Sequence, residues 1–274
     1  MSVSSHRIAV HRIAAIVLRQ FYLLRGSPAR ILPLFAWVAI DIVLWGFISK
    51  YLNSVASPGF NFVPMLLGAV LLWDFMVRVM QGVTLAFLED VWTRNFLNIF
   101  ATPLSIPEYV SGLVFSSVAT SSVGLVVMIL LATLVFGLSF FIYGAMLVPF
   151  LGVLFLLGIA LGILGSAIVL RLGPAAEWFI WPIPALLSPF AGVFYPLSTL
   201  PSWMRFIARL LPASYVFEGM RAVIAHRELS ASPLFLGTCL AVMYLLLTSW
   251  FFGRVFRHAV RTGLIARYTA ETAG

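Results

Sequence analysis

The sequence predicts an all-α polytopic membrane protein, with six transmembrane helices, an N-terminal amphipathic interfacial helix and an external broken re-entrant helix before the last span. Three observations predict it. Of the 274 residues, 62% are apolar and 9% charged, against roughly 45–50% and 25% in soluble domains, so a surface facing water on all sides cannot be built. Apolar stretches recur at the length that a helix rising about 1.5 Å per residue needs to cross about 30 Å of hydrocarbon. Basic residues gather at both ends of the chain.

The elements follow in order. In residues 7–25, Ile13, Ile16, Val17, Phe21 and Leu24 recur at helical spacing while His11, Arg12 and Arg19 fall on another face, the pattern of a helix lying in the membrane interface. Arg7, Arg12 and Arg19 interrupt every window that an h-region of about 7–15 apolar residues would occupy, so the segment is expected to stay uncleaved. The expected spans are 31–49, 62–85, 109–137, 142–170, 178–197 and 232–253. Between Glu108 and Arg171 no ionisable Asp, Glu, Lys, Arg or His occurs, and a turn near Gly137 to Gly144 divides that stretch into two helices.

Orientation follows from the arginines, since basic residues concentrate on the cytoplasmic side. Arg7, Arg12, Arg19, Arg25 and Arg30 precede the first span without an acid, and Arg254, Arg257, Arg261 and Arg267 follow the last against Glu271. Both termini are therefore expected in the cytoplasm, which demands an even number of crossings. The net charge of +8 then reads as a topology signal with attraction to anionic membrane lipid, not as a nucleic-acid footprint. The chain is expected to form one membrane domain over 1–274: an amphipathic helix in 1–30, spans one to five in 31–197, an external segment in 198–228, span six in 232–253 and a tail in 254–274.

Two segments are neither spans nor plain loops. Residues 87–108 pack Glu89, Asp90, Arg94 and Glu108 among Trp92, Phe96, Leu97 and Phe100. A surface helix with an apolar back and a charged front could present that front to another protein; a merely solvated face fits the same residues. From Tyr195 to Glu228 the chain carries Pro196, Pro201, Arg205, Arg209, Pro212, Glu218, Arg221 and Arg227. A full crossing there would bury several charges at about 2.5–3.5 kcal/mol each, so the segment is expected to dip in, return and pack on the bundle.

Catalytic chemistry finds no support. A phosphate-binding loop needs Lys between Gly and Ser or Thr, and the one lysine, Lys50, lies between Ser49 and Tyr51. His6, His11, His226 and His258 have no metal-ligand spacing, and no G-x-S-x-G motif occurs, so no metal and no catalytic residue is assigned. Ser116, Ser117, Ser121 and Ser122 read as small polar contacts between helices, Cys239 as a buried small hydrophobe. Gly158 and Gly162 have G-x-x-x-G spacing, but 20 glycines make chance matches easy. The ionisable residues within spans are Asp41, Asp74 and Arg78, each a functional candidate because of its cost in lipid. Asp74 and Arg78 share a helix face; Asp41 could pair with Arg78, face a wet cavity or bind a proton, as a gradient-driven secondary transporter would require of Asp41 and Asp74.

The segment Ser188 to Ile224, SPFAGVFYPLSTLPSWMRFIARLLPASYVFEGMRAVI, resembles the permease subunits of type-2 ATP-binding-cassette exporters, a group that includes drug, polysaccharide and nodulation-factor export permeases. The matching parts are Gly192 to Leu197, Leu200 to Trp203, the basic helix Arg205 to Leu211, Pro212, and Glu218 to Arg221. A second match is Asn95 to Pro107, with the turn Ala101 to Ser105.

The resemblance implies a transport subunit in the inner (plasma) membrane without its own ATPase site. It implies a second permease copy or homologue, and a separate nucleotide-binding subunit carrying ATP and Mg. Coupling to that subunit would fall to Glu89, Asp90, Trp92, Arg94, Asn95 and Phe96. A path lined by spans one, two and five would involve Asp41, Trp45, Trp73, Asp74, Arg78, Phe190 and Tyr195, residues that packing within one subunit explains equally well. Pro196, Trp203, Pro212, Glu218 and Arg221 would shape the external cap. The sparsely charged aromatic path suggests an amphipathic, lipid-linked or drug-like substrate.

Overall fold

A computed structural model describes residues 2–55, 61–93, 95–173, 176–226 and 231–263, and every regular element among them is helical. The order is α1 (Ser2–Arg25), α2 (Pro28–Val55), a π-helical turn (Val63–Leu67) running into α3 (Gly68–Trp92), α4 (Phe96–Phe100), α5 (Ile106–Phe136), a 3-10 stretch (Phe140–Met146) leading into α6 (Leu147–Leu172), α7 (Glu177–Ile180), α8 (Pro182–Ala191), α9 (Ser202–Ala208), α10 (Pro212–Ile224) and α11 (Ala231–Arg261).

Five stretches are long and apolar enough to cross a membrane: Phe35–Val55, Val63–Trp92, Ile106–Phe136, Phe140–Leu172 and Ser232–Arg261. The expected fifth span, 178–197, takes a different form. Pro182, Pro184 and Pro189 lack the amide hydrogen a continuous helix would use, and the segment divides at Trp181 into α7 and α8. Together these reach only from 177 to 191, about 22 Å of helix, before Gly192 turns left-handed at φ 66°.

The core is the contact of α3 with α6. A Cβ at Gly158 would lie 2.8 Å from the Met76 carbonyl oxygen, one at Gly162 2.8 Å from Val83 Cβ, and one at Gly165 2.6 Å from Thr84 Oγ1. Helices in lipid gain little from hiding apolar surface and associate by close backbone approach. The glycine spacing that seemed a chance match is therefore the seam itself, and the Thr84 hydroxyl donates across it to the Gly162 carbonyl at 3.1 Å.

On the other side of α3, Ser117 of α5 donates to the Val79 carbonyl at 2.8 Å. Ser121 is also buried, whereas Ser116 bonds within its own helix to Gly112 and Ser122 is exposed. Only half of that serine group fits the expected role. Against α6 runs α11, whose outer side exposes Leu236, Met243, Leu246, Leu247 and Trp250. Cys239 lies there too, exposed instead of buried, because this helix is covered on one side only.

At one end of the bundle, α10 buries Phe217 and Met220, and the Tyr143 hydroxyl donates to the Pro64 carbonyl at 2.5 Å. This bond ties the α5–α6 connection to the turn before α3. At the other end, α1 lies along the start of α5, and Phe252 of α11 meets Phe87 of α3 with ring centroids 5.8 Å apart. The first and last described helices thus reach the bundle at the same end.

Candidate functional site

The end where α1 sits is built around two acids. Asp90, on the last turn of α3, is 1% exposed. It accepts hydrogen bonds from both terminal nitrogens of Arg19, one at 2.9 Å, and from the Tyr109 hydroxyl at 2.6 Å. These bonds, above all, raise the Arg19 guanidinium beyond the usual arginine pKa. Glu108 opens α5 as half of a capping box, accepting from the Ser105 amide at 2.7 Å and its hydroxyl at 2.8 Å. Its other oxygen lies 3.4 Å from Arg12 Nη1. Between the two arginines, Ile16 fills the notch left by Gly112, where a Cβ would sit 2.6 Å from Ile16 Cβ.

This arrangement gives α1 a mixed inner face, in which Ile16 is buried and Ile13, Val17 and Leu24 are half-buried beside the two arginines, while His11 is exposed. Arg12 and Arg19 turn toward the bundle, while Ile8, Val10, Leu18, Phe21 and Tyr22 are exposed. The acids of α3 and α5 offer the arginines charged partners, which water or lipid would not.

Two of the expected coupling residues lie on the inner side of the elbow. Asp90 is internal, and so is Phe96, 5% exposed. Its ring lies 5.3 Å from Phe87 and 6.0 Å from Tyr109. Both lock the short α4 elbow to the bundle. What the elbow presents outward is Trp92, 51% exposed, with Thr93, Asn98 and the turn 101–103; Glu89 and Asn95 are half-buried. Arg94 lies outside the described residues.

Deeper in the spans, the carboxyls of Asp41 of α2 and Asp74 of α3 lie close enough to act on one another, with the Arg78 charge acting on both. One buried oxygen of Asp74, Oδ2, has no hydrogen-bond partner among the described residues. The Arg78 stem passes Gly124 of α5, whose absent side chain leaves Cδ 3.7 Å from the Cβ position. The structure thus joins all three intramembrane charges across α2 and α3.

The aromatic path candidates do not form one surface. Trp45 stacks on Phe194 at 4.8 Å and 11°, and Phe190 meets Trp203 at 6.3 Å. Tyr195 donates to the Pro189 carbonyl at 2.8 Å. Trp73 is 8% exposed and packs on Phe217 of α10 at 6.1 Å, which makes it a joint between α3 and the cap, not an open wall. Sequence reasoning missed a shallow cleft between α3 and α7, lined by Gln81, Thr84, Leu88, Glu177, Ile180 and Trp181. It exists because the helix breaks at Trp181, and the three prolines nearby were its only local signal.

The cap is held by backbone hydrogen bonds. Glu218 accepts from the Leu197 amide at 2.7 Å and from Arg221 at 2.9 Å. Arg205 donates to the carbonyls of Ser198 and Leu200 at 3.2 and 2.9 Å. Pro212 is buried at the start of α10, Pro196 is half-buried, and Trp203 is exposed. Among the described residues no cluster of His, Cys, Asp or Glu could hold a metal ion.

The family described as ABC-2 type transporter matches residues 12–225. The matched range runs from the arginine that ties α1 to α5 through to the end of α10. A comparison with curated proteins gives no match.

Proposed function

The chain belongs to the ABC-2 type transporter family, and from that premise we propose that it is the membrane-spanning subunit of an exporter energised by a separate nucleotide-binding ATPase. ATP and Mg would reside on that partner. The anchored elbow at Trp92 to Pro103 carries this reading. Its outer face is exposed, while Asp90, Phe96 and Tyr109 fix its inner face to α1, α3 and α5. A partner pressing on such an elbow would move helices, not merely a loop. Glu89, Trp92 and Asn95 are the proposed contacts, with Asp90 and Phe96 transmitting the motion.

The segment 177–197 counts here as a sixth crossing. It starts beside Leu88 and ends beside α9 and α10, and an even number agrees with the first and last described helices meeting one end. That end is taken as cytoplasmic and the α9–α10 end as external. Exposed aromatic faces on α2 (Trp37, Phe47, Tyr51) and on α7–α8 (Trp178, Phe179) support a dimer. The path between the two copies would then carry an amphipathic, lipid-linked or drug-like molecule past Trp45, Asp41 and Phe190.

The pairing of Asp41 with Asp74 also suits a gradient-driven carrier. Purification of the tagged chain in mild detergent separates the two. An exporter subunit brings down a nucleotide-binding protein with vanadate-sensitive ATPase activity, and its transport survives collapse of the proton gradient at constant ATP. A chain that purifies alone and stops when the gradient collapses sinks the exporter reading.

A further inference from the structure

The arginines at the two ends of the chain are used differently. Arg12 and Arg19 of α1 meet carboxylates. On α11, Arg254, Arg257, His258 and Arg261 are all exposed, and none has a carboxylate partner among the described residues. The 31 residues of α11 contain no acid. At three- and four-residue spacing these groups form one stripe. Its opposite side, Phe252, Val255 and Ala259, is buried against the bundle.

The stripe continues a surface of known character. Leu236, Met243, Leu246, Leu247 and Trp250 are exposed on the same side of the helix, so the apolar outer face becomes basic one turn after Trp250. The Arg254 guanidinium carbon lies 4.7 Å from the Trp250 ring centroid, and tryptophans gather where a span meets the membrane boundary. At about 1.5 Å per residue, Arg254 and Arg257 stand about 6 and 10 Å beyond Trp250. The headgroup layer is about 5–7 Å deep on each side, so Arg254 stands within that layer, while Arg257, His258 and Arg261 rise beyond it on the same face, and a long side chain such as Arg257 can reach back to it.

We propose that the basic stripe Arg254, Arg257, His258 and Arg261 is a binding site for the headgroups of anionic phospholipids. The guanidinium fork matches a phosphate oxygen pair, and the cation–π contact orients Arg254 alongside the tryptophan. The site requires only that the chain span a bilayer, and it stands or falls independently of the transport reading.

The test uses the full chain in mixed micelles holding equal amounts of dioleoyl phosphatidylglycerol and dioleoyl phosphatidylcholine. The protein is re-isolated and its retained lipids are counted by mass spectrometry. Each arginine at an anionic surface is worth on the order of fivefold. The wild-type chain should retain the glycerol lipid preferentially, and the variant Arg254→Gln, Arg257→Gln, Arg261→Gln should lose most of that preference. The corresponding triple lysine variant should keep it, and high salt should weaken it. If the glutamine variant does not fold, Arg257→Gln alone should lower the preference by about fivefold. A glutamine variant with undiminished preference overturns the proposal, and so does a wild-type chain with none. Loss of the ATPase subunit with lipid preference intact would make the stripe a protein contact instead.

Discussion

α5 and the stretch ending in α6 are almost equally apolar, with mean hydropathies of 2.4 and 2.7, yet 22% of the first window and 78% of the second is buried within the bundle. In water such sequences would compete for the interior on equal terms. In a bilayer they do not, because lipid and protein are equally apolar neighbours and the choice falls to shape. α6 carries Gly158, Gly162 and Gly165 on one side and meets the backbone of α3 there. α5 has its small residues mainly near its first half, where Gly112 and Ser117 receive α1 and α3, and its second half exposes Leu130, Leu134 and Val135.

The largest effect should come from breaking that shape. Gly162→Leu would drive a side chain into Val83 and the Met80 carbonyl, 2.8 and 3.0 Å from the Cβ position. Overpacking against backbone should cost at least about 3 kcal/mol, seen as loss of the monodisperse peak in fluorescence-detected size exclusion. Gly152→Leu, on the open side of the same helix with nothing within 4 Å, should elute like the wild type. Equal damage from both would mean that α6 is not centred on its glycine seam.

Next should come the inner charges. Asp90→Ala leaves Arg19 partly buried without its partner, a change worth about 3–5 kcal/mol, and it should free α1 to proteolysis. The double variant Arg19→Leu, Asp90→Leu should be milder than Asp90→Ala. Additive losses would show that the pair is not coupled. Trp92→Ala should change thermal stability by no more than about 0.5 kcal/mol while lowering ATP-driven transport severalfold; unaltered transport would remove Trp92 from the docking face. The smallest effect is reserved for the lipid side. Leu134→Ala, at a residue 79% exposed, should leave the unfolding temperature within about a degree of the wild type, as a side chain with lipid on both sides of the reaction requires.

Five of the six expected spans were legible in the sequence because hydropathy is a property of one segment at a time; 178–197 was not, because its prolines break the helix that hydropathy alone suggests. The segment 196–221 left a compact motif for a similar reason: Glu218 reaches Leu197 and Arg205 reaches Leu200, so its contacts are short in sequence. The bond between Arg19 and Asp90 joins residues 71 apart, and no local pattern announces it. Amphipathicity showed that α1 has two faces, but not that Arg12 and Arg19 would flank the buried Ile16 against the bundle. Charge made Asp90 look like a surface residue, although Tyr109 and Arg19 together satisfy it inside. The seam of α6 was visible as spacing, yet only the opposing carbonyls of Met76 and Met80 give the glycines their meaning.

The ties of α1 have a consequence for the order of assembly. Arg12 and Arg19 are made before the residues they bind, Glu108 standing 96 positions and Asp90 71 positions later. At about 5–20 residues per second, the first helix waits some seconds with its arginines unpaired. Once α3 and α5 are in place, the same charges meet their carboxylates. The helix made first is thus latched only when the helices that hold it have followed.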